Sequence, residues 1–234
     1  MIEFAYILGS TRSGTSALRN ALCETRFMGY GEGHLVPLLT DLAATVRRHA
    51  ESGFGARSAG NGLYRLRPDD LLAEIVAGYE RYVSAQLASA SIVDKTPTVA
   101  PIRAAPLLNA LHGRPFFIHC MRRHVDNVAS KRAKFPGQDF ETHCSEWAGC
   151  AEAWLEAREG LDGNFVEFDF IEMATDPQRV VARIGGYLGL DGPEMEAAAA
   201  YLARRRPQAE AGRDVARFAT LAETGWSAAE RAAF

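Results

Sequence analysis

The stretch Tyr6-Ile7-Leu8-Gly9-Ser10-Thr11-Arg12-Ser13-Gly14-Thr15-Ser16-Ala17-Leu18 decides the fold. An apolar run from Phe4 to Leu8 meets a loop rich in glycine and hydroxyl side chains, and that loop opens directly into a helical pattern. The geometry implied is strand, phosphate loop, helix N-terminus. Unpaired backbone N–H groups and the positive end of the helix dipole converge there on an anion. Gly9 and Gly14 stand at the Walker A spacing, but the nucleoside-triphosphatase pattern then requires a lysine, and here Thr15 and Ser16 follow instead. Arg12 is the only cation in the loop. The loop suits an anion, but not in the ATPase manner.

Outward from this loop, strand-like and helix-like segments alternate. Ser13 to Glu24 reads as the first helix, with Ala17, Leu18, Ala21 and Leu22 as its apolar face. Phe27 to Tyr30 reads as a short second strand, followed by Gly31-Glu32-Gly33-His34 at its C-terminal end, where open α/β sheets hold ligands. Leu35 to Ala50 and Arg67 to Leu87 read as helices, with an exposed loop over Ser52 to Asn61 between them. Region 36–90 is thus expected to be helical, as a lid, an acceptor-binding region or scaffold. Further strands are expected at Ser91–Val93, Pro115–Cys120 and Asn164–Phe170, and helices at Ile102–Leu111, His124–Lys134, Phe140–Leu161, Pro177–Leu188 and Glu194–Arg206. The expectation is one α/β domain over 1–234: a central parallel sheet flanked by helices, with P-loop topology.

Four segments, in order, resemble the sulfotransferases that use 3′-phosphoadenosine 5′-phosphosulfate (PAPS). Arg12-Ser13-Gly14-Thr15-Ser16 is similar to that family's 5′-phosphosulfate loop, usually Arg/Lys-Ser-Gly-Thr-Thr. Asp94-Lys95-Thr96-Pro97 matches a motif common in its bacterial branch. Arg122 and Ser130, eight residues apart, match its 3′-phosphate motif. Phe168-Asp169, Asp176-Pro177 and Tyr187-Leu188-Gly189-Leu190 resemble its Tyr-Glu-Asp-Leu, Asp-Pro and Phe-Leu-Gly-Leu series. The likeness covers about residues 1–35 and 90–190.

The resemblance implies transfer of a sulfuryl group from PAPS, as co-substrate, to an acceptor hydroxyl or amine, with release of 3′,5′-adenosine bisphosphate. Ser10, Thr11, Arg12, Ser13, Gly14, Thr15 and Ser16 would cradle the 5′-phosphate, and Arg122 with Ser130 would hold the 3′-phosphate, where a dianion wants a charge-assisted donor and a hydroxyl. Arg123 is the substitute for Arg122, because adjacent residues at a strand end point to opposite sides. Arg12 and Lys95 would meet transition-state charge. Glu32 is the first choice of base and His34 the alternative. The base position of the cytosolic branch, a His after Lys-Thr, is taken by Pro97 and does not transfer. His119, within an apolar strand, reads as a core histidine. Trp147 and Trp154, seven apart, read as one packed helix face. Arg204, Arg205 and Arg206 read as a solvated helix end.

Composition narrows the partners. A net charge of −3 offers no general field for nucleic acid or anionic membrane. No stretch reaches the roughly 18 apolar residues of a membrane span. The four cysteines lack metal-site spacing, and a reduced, cytoplasmic protein is expected. A sulfuryl group carries less charge than a γ-phosphoryl group and no acidic cluster has magnesium-binding spacing, so metal-independent chemistry is expected. Two rivals fit parts of the pattern: a P-loop kinase acting on a small molecule, opposed by the missing Walker lysine, and a non-catalytic nucleotide-binding relative. Neither composition nor spacing separates carbohydrate, peptide, lipid or small natural product as acceptor.

Overall fold

The computed structural model describes residues 2–34, 36–52, 67–113, 115–204 and 218–234. Its centre is a four-stranded parallel sheet of β1 (Glu3–Gly9), β2 (Ser91–Lys95), β3 (Pro115–Met121) and β4 (Val166–Asp169), in the order β2-β1-β3-β4. All seven residues of β1 are buried, which is what a central parallel strand with both faces covered demands. Alternate residues serve opposite layers. Ala5 and Ile7 pack with Val93, Ile118, Cys120 and Phe168, under α1 (Thr15–Leu22), α7 (Phe170–Thr175), α8 (Pro177–Leu188) and α9 (Gly192–Arg204). Phe4, Tyr6 and Leu8 pack with Ile92 and Phe117, under α2 (Val36–Glu51), α3 (Pro68–Leu87), α4 (Val99–Leu111) and α6 (Phe140–Ala157).

The register brings every strand's C-terminal end to one edge. Ile7 lies opposite Lys95, Gly9 opposite Cys120, and Met121 opposite Asp169. α5 (His124–Lys134) follows β3 directly and caps this edge. The segment 218–234, with α10 (Ala228–Ala233), packs beside it, burying Trp226 against Val125 and Val128. Local chemistry frames the helices. Asp176 accepts from the Arg179 amide ahead of Pro177, and Gly189, at φ 68°, closes α8.

Several boundaries differ from the sequence expectation. Phe27–Tyr30 is no strand; it contributes one parallel bridge, Met28 to Ile92, because Gly29 and Gly31 interrupt the run. β4 is shorter than Asn164–Phe170, since Asp169 accepts from the Ile171 amide and starts α7 at Phe170. The helix expected to Leu161 tightens into a 3₁₀ turn over Arg158–Leu161. α1 begins at Thr15 rather than Ser13, whose amide is engaged with Ser10 O in the loop. Lys95 is the last residue of β2 rather than part of the turn after it. Most of the expected 52–61 loop lies outside the described residues, as do Arg205 and Arg206.

Candidate active site

β1 runs straight into the phosphate loop. Gly9, at φ 141°, lies so close to β3 that a Cβ would stand 2.5 Å from Cys120 O. The Ser13 amide and hydroxyl both turn back to Ser10 O, closing the turn. Arg12 at φ 74° and Gly14 at φ 92° take left-handed conformations. For arginine this costs about 1–2 kcal/mol, which the surrounding contacts must hold. Gly14 is the N-cap of α1 and supplies no side-chain cap, so the helix's first amides retain their capacity to bind an anion.

Four contacts fix the loop from outside. Thr11 Oγ1 donates to Pro97 O at 3.1 Å, and Asn127 Nδ2 donates to Thr11 O at 3.0 Å. Arg122 Nη1 donates to Arg12 O at 2.9 Å, and Arg12 Nε donates to Ser130 Oγ at 3.1 Å. Arg122 and Ser130 therefore converge on one residue, Arg12. The Arg122 guanidinium lies 4.3 Å over the Phe170 ring, and Trp147 Nε1 donates to Arg122 O at 2.9 Å. Arg123 is otherwise engaged. It pairs with Asp126 at 2.8 Å, donates to Ala219 O and lies over Phe218, so it anchors the C-terminal segment.

At the β2 end of the same edge, Lys95 Nζ donates to Glu32 Oε1 at 2.6 Å, and Glu32 Oε2 meets His34 Nε2 at 3.1 Å. Lys95 is buried, with 2% of its side chain exposed against 45% for Glu32, so the pair joins a fixed cation to an accessible carboxylate. The Lys95 hydrogen bond, assisted by His34, holds the Glu32 carboxyl below its ordinary range. The His34 amide donates to Thr96 Oγ1 at 3.0 Å, so the Asp94–Pro97 motif also carries the backbone of the Glu32 segment. Thus the Arg12–Arg122–Ser130 group and the Glu32–His34–Lys95 group share the sheet edge, with the phosphate loop between them.

A cavity of about 410 Å³ opens behind Ser10 and Ser13, between α6 and the ends of β3 and β4. Trp147, Trp154 and His119 line it. His119 stacks on Trp154 with centroids 4.2 Å apart, and burial pushes its pKa down to about 3, so it is neutral. The expected packing role of Trp154 is matched by its place in the core, whereas Trp147 also supports Arg122. Asn127 and Phe170 touch the loop and Arg122 without having stood out in the sequence, and Trp147, read there as helix packing, also reaches Arg122. Asn127 had a signal, lying between Arg122 and Ser130; the other two reach the site only through the fold.

A parallel α/β sheet with a glycine-rich strand-to-helix loop, a cationic element at the neighbouring strand end and a Lys–Glu–His group at the other belongs to the class of open α/β folds that gather functional groups at the carboxyl ends of their strands. The family model described as "Sulfotransferase family" matches residues 5–194, and the chain belongs to that family. Among solved structures, the sulfotransferase domain of the Synechococcus PCC 7002 olefin synthase is similar at 24% identity and TM-score 0.56, over 82% of this chain and 75% of that one. The sulfotransferase domain of the curacin biosynthetic pathway is similar at 16% identity and TM-score 0.55, over 83% and 77%. STF1 of Mycobacterium tuberculosis H37Rv is similar at 17% identity and TM-score 0.53, over 85% and 71%. These likenesses establish the shared fold. No curated protein matches the sequence. Among the described residues no helix is long and apolar enough to cross a membrane.

Proposed function

We propose that this sulfotransferase-family chain moves the sulfuryl group of PAPS onto an acceptor hydroxyl or amine, releasing 3′,5′-adenosine bisphosphate. One observation carries the reading: Arg12 bonds Ser130 while Arg122 bonds the Arg12 carbonyl, joining the phosphate loop and the strand-end arginine into one cationic groove. A nucleotide with phosphate at both 5′ and 3′ positions matches two such linked elements.

In this reading the acceptor oxygen or nitrogen attacks sulfur, and its new bond to sulfur forms as the bond from sulfur to the 5′-phosphate oxygen breaks. The acceptor proton passes to Glu32, with His34 as the alternative at 3.1 Å from that carboxylate. The departing electron pair settles on the 5′-phosphate oxygen, against Arg12 and the amides of residues 13–16. Lys95 turns from Glu32 toward the sulfuryl oxygens as the proton neutralises that carboxylate. A divalent ion is not required. The acceptor side of the site is assigned to the described helices of region 36–90, of which α2 starts at Val36, two residues after His34.

Calorimetric titration without metal tests this reading. Micromolar binding of 3′,5′-adenosine bisphosphate, at least about tenfold tighter than 5′-AMP, is expected from one added charge-assisted contact. Preference for ATP–Mg²⁺ with indifference to the 3′-phosphate overturns it in favour of a kinase. Binding of PAPS with no transfer to any acceptor class, and no change in Glu32→Gln, favours a non-catalytic relative.

A further inference from the structure

The segment 29–34, which carries Glu32 and His34, lies flat on β2 because two of its three glycines meet the strand where no side chain fits. A Cβ on Gly29 would overlap the Val93 carbonyl oxygen, and one on Gly33 would overlap Asp94 Oδ1. The segment is pinned at its start by Arg19, which donates to Gly29 O, and at its end by the His34 amide on Thr96 Oγ1. Its middle rests on Asp94. That residue is only 6% exposed, and no described residue donates a hydrogen bond to either carboxyl oxygen. The amides of Gly33 and Lys95 come near enough to favour its anion somewhat, but neither has hydrogen-bond alignment.

An ionised carboxylate in that position is disfavoured relative to a neutral carboxyl, which fills the space opposite Gly33 with a smaller desolvation cost. The groups facing it are His34 from the segment, Lys95 on its own strand, Tyr6 from β1 and Tyr79 from α3, with Glu80 acting on both tyrosines. Of these, Lys95 and His34 favour the Asp94 anion, and both are already bonded to Glu32. Ionised Asp94 therefore competes with Glu32 for the same two side chains.

We propose that Asp94 is a positioning residue for Glu32: its neutral carboxyl seats Gly33 on β2, and its ionisation unseats the segment and draws Lys95 and His34 away from Glu32. Burial pushes the Asp94 pKa up to about 6, which puts the change within the range of ordinary assay pH. The catalytic consequence rests on Glu32 being the base; the seat itself does not.

Hydrogen exchange at the amides of 29–34 tests the seat directly, in wild type and Asp94→Asn from pH 5 to 8, with rates corrected for intrinsic pH dependence. Wild type is expected to lose protection by about tenfold or more as pH rises through 6, and Asp94→Asn, neutral throughout, to show no such step. The same step in Asp94→Asn, or none in wild type, overturns the proposal. Gly33→Ala supplies a second test: it loses protection at every pH, and adding Asp94→Ala, which empties the space the new Cβ needs, restores it in part. A double variant as unprotected as the single one also overturns the seat. Bisphosphate titration stays a separate arm, because its failure counts against sulfuryl transfer and leaves the exchange readout intact.

Discussion

Replacing Arg122 separates the two phosphates of the proposed donor. Among its contacts, this side chain donates to Arg12 O at 2.9 Å and lies over the Phe170 ring at the end of β3. Arg122→Ala removes both. A charge-assisted bond to a 3′-phosphate is worth about 1.5–3 kcal/mol, or roughly 10- to 150-fold in affinity. The bond to Arg12 O contributes about 0.5–1.5 kcal/mol through the shape of the phosphate loop, or roughly 2- to 10-fold. Only the first term depends on the 3′-phosphate. Calorimetry at one fixed ionic strength is therefore expected to show 5′-AMP weakened modestly and the 3′,5′-bisphosphate weakened by the product of both factors. Arg122→Lys keeps the charge but not the planar fork, and falls between wild type and alanine. Equal losses for the two nucleotides would mean that Arg122 acts only on the loop, and would refute its assignment to the 3′-phosphate.

Three further outcomes follow from the same geometry. Lys95→Met removes the leading cause of the depressed Glu32 pKa; the acid limb of the transfer rate is expected to move up toward the ordinary carboxylate range while the plateau falls by about 10²-fold or more, as steady-state pH profiles would show. Gly14→Ala forces a side chain onto φ 92° with its Cβ 2.5 Å from Met173 Cε, and is expected to cost at least about 1–2 kcal/mol in urea unfolding and to abolish bisphosphate binding. For Asp94, a folded pKa of about 6 against an ordinary 3.8 means that the folded state holds the proton longer. Wild-type stability is thus expected to fall as pH rises through 4 to 6 and to stay lower above that, with about 2 kcal/mol lost between pH 4.5 and 8. Asp94→Asn abolishes that decline, measured by urea unfolding at pH 4.5 and 8.

Much of the fold was legible because it rests on local regularities. The buried run of β1 reads as a central strand, the spacing of Gly9 and Gly14 marks a tight strand-to-helix loop, and Asp176-Pro177 with Gly189 brackets a helix by capping chemistry. Misreadings fell where short segments compete. Phe27–Tyr30 has strand composition, yet Gly29 and Gly31 leave it a single bridge, and Asp169 ended β4 early by capping α7. Within the site, residue types near the loop and the strand ends were readable as anion ligands and acid–base groups. Their pairings were not.

The sequence by itself determined an α/β protein with a phosphate loop, the order of its motifs, and thereby the family, because hydrophobic period, glycine placement and capping residues act over a few positions. Only the tertiary structure decided that Arg122 and Ser130 meet at Arg12 while Arg123 is spent on Asp126 and Ala219, that Lys95 reaches Glu32, and that Asp94 is sealed beneath Gly33. Apart from Arg123–Asp126, three positions apart, these are contacts between residues tens of positions apart or more. The parallel register that aligns Gly9, Lys95 and Met121 on one edge brings them together, and the resulting burial sets their charges; neither is a property of any local stretch.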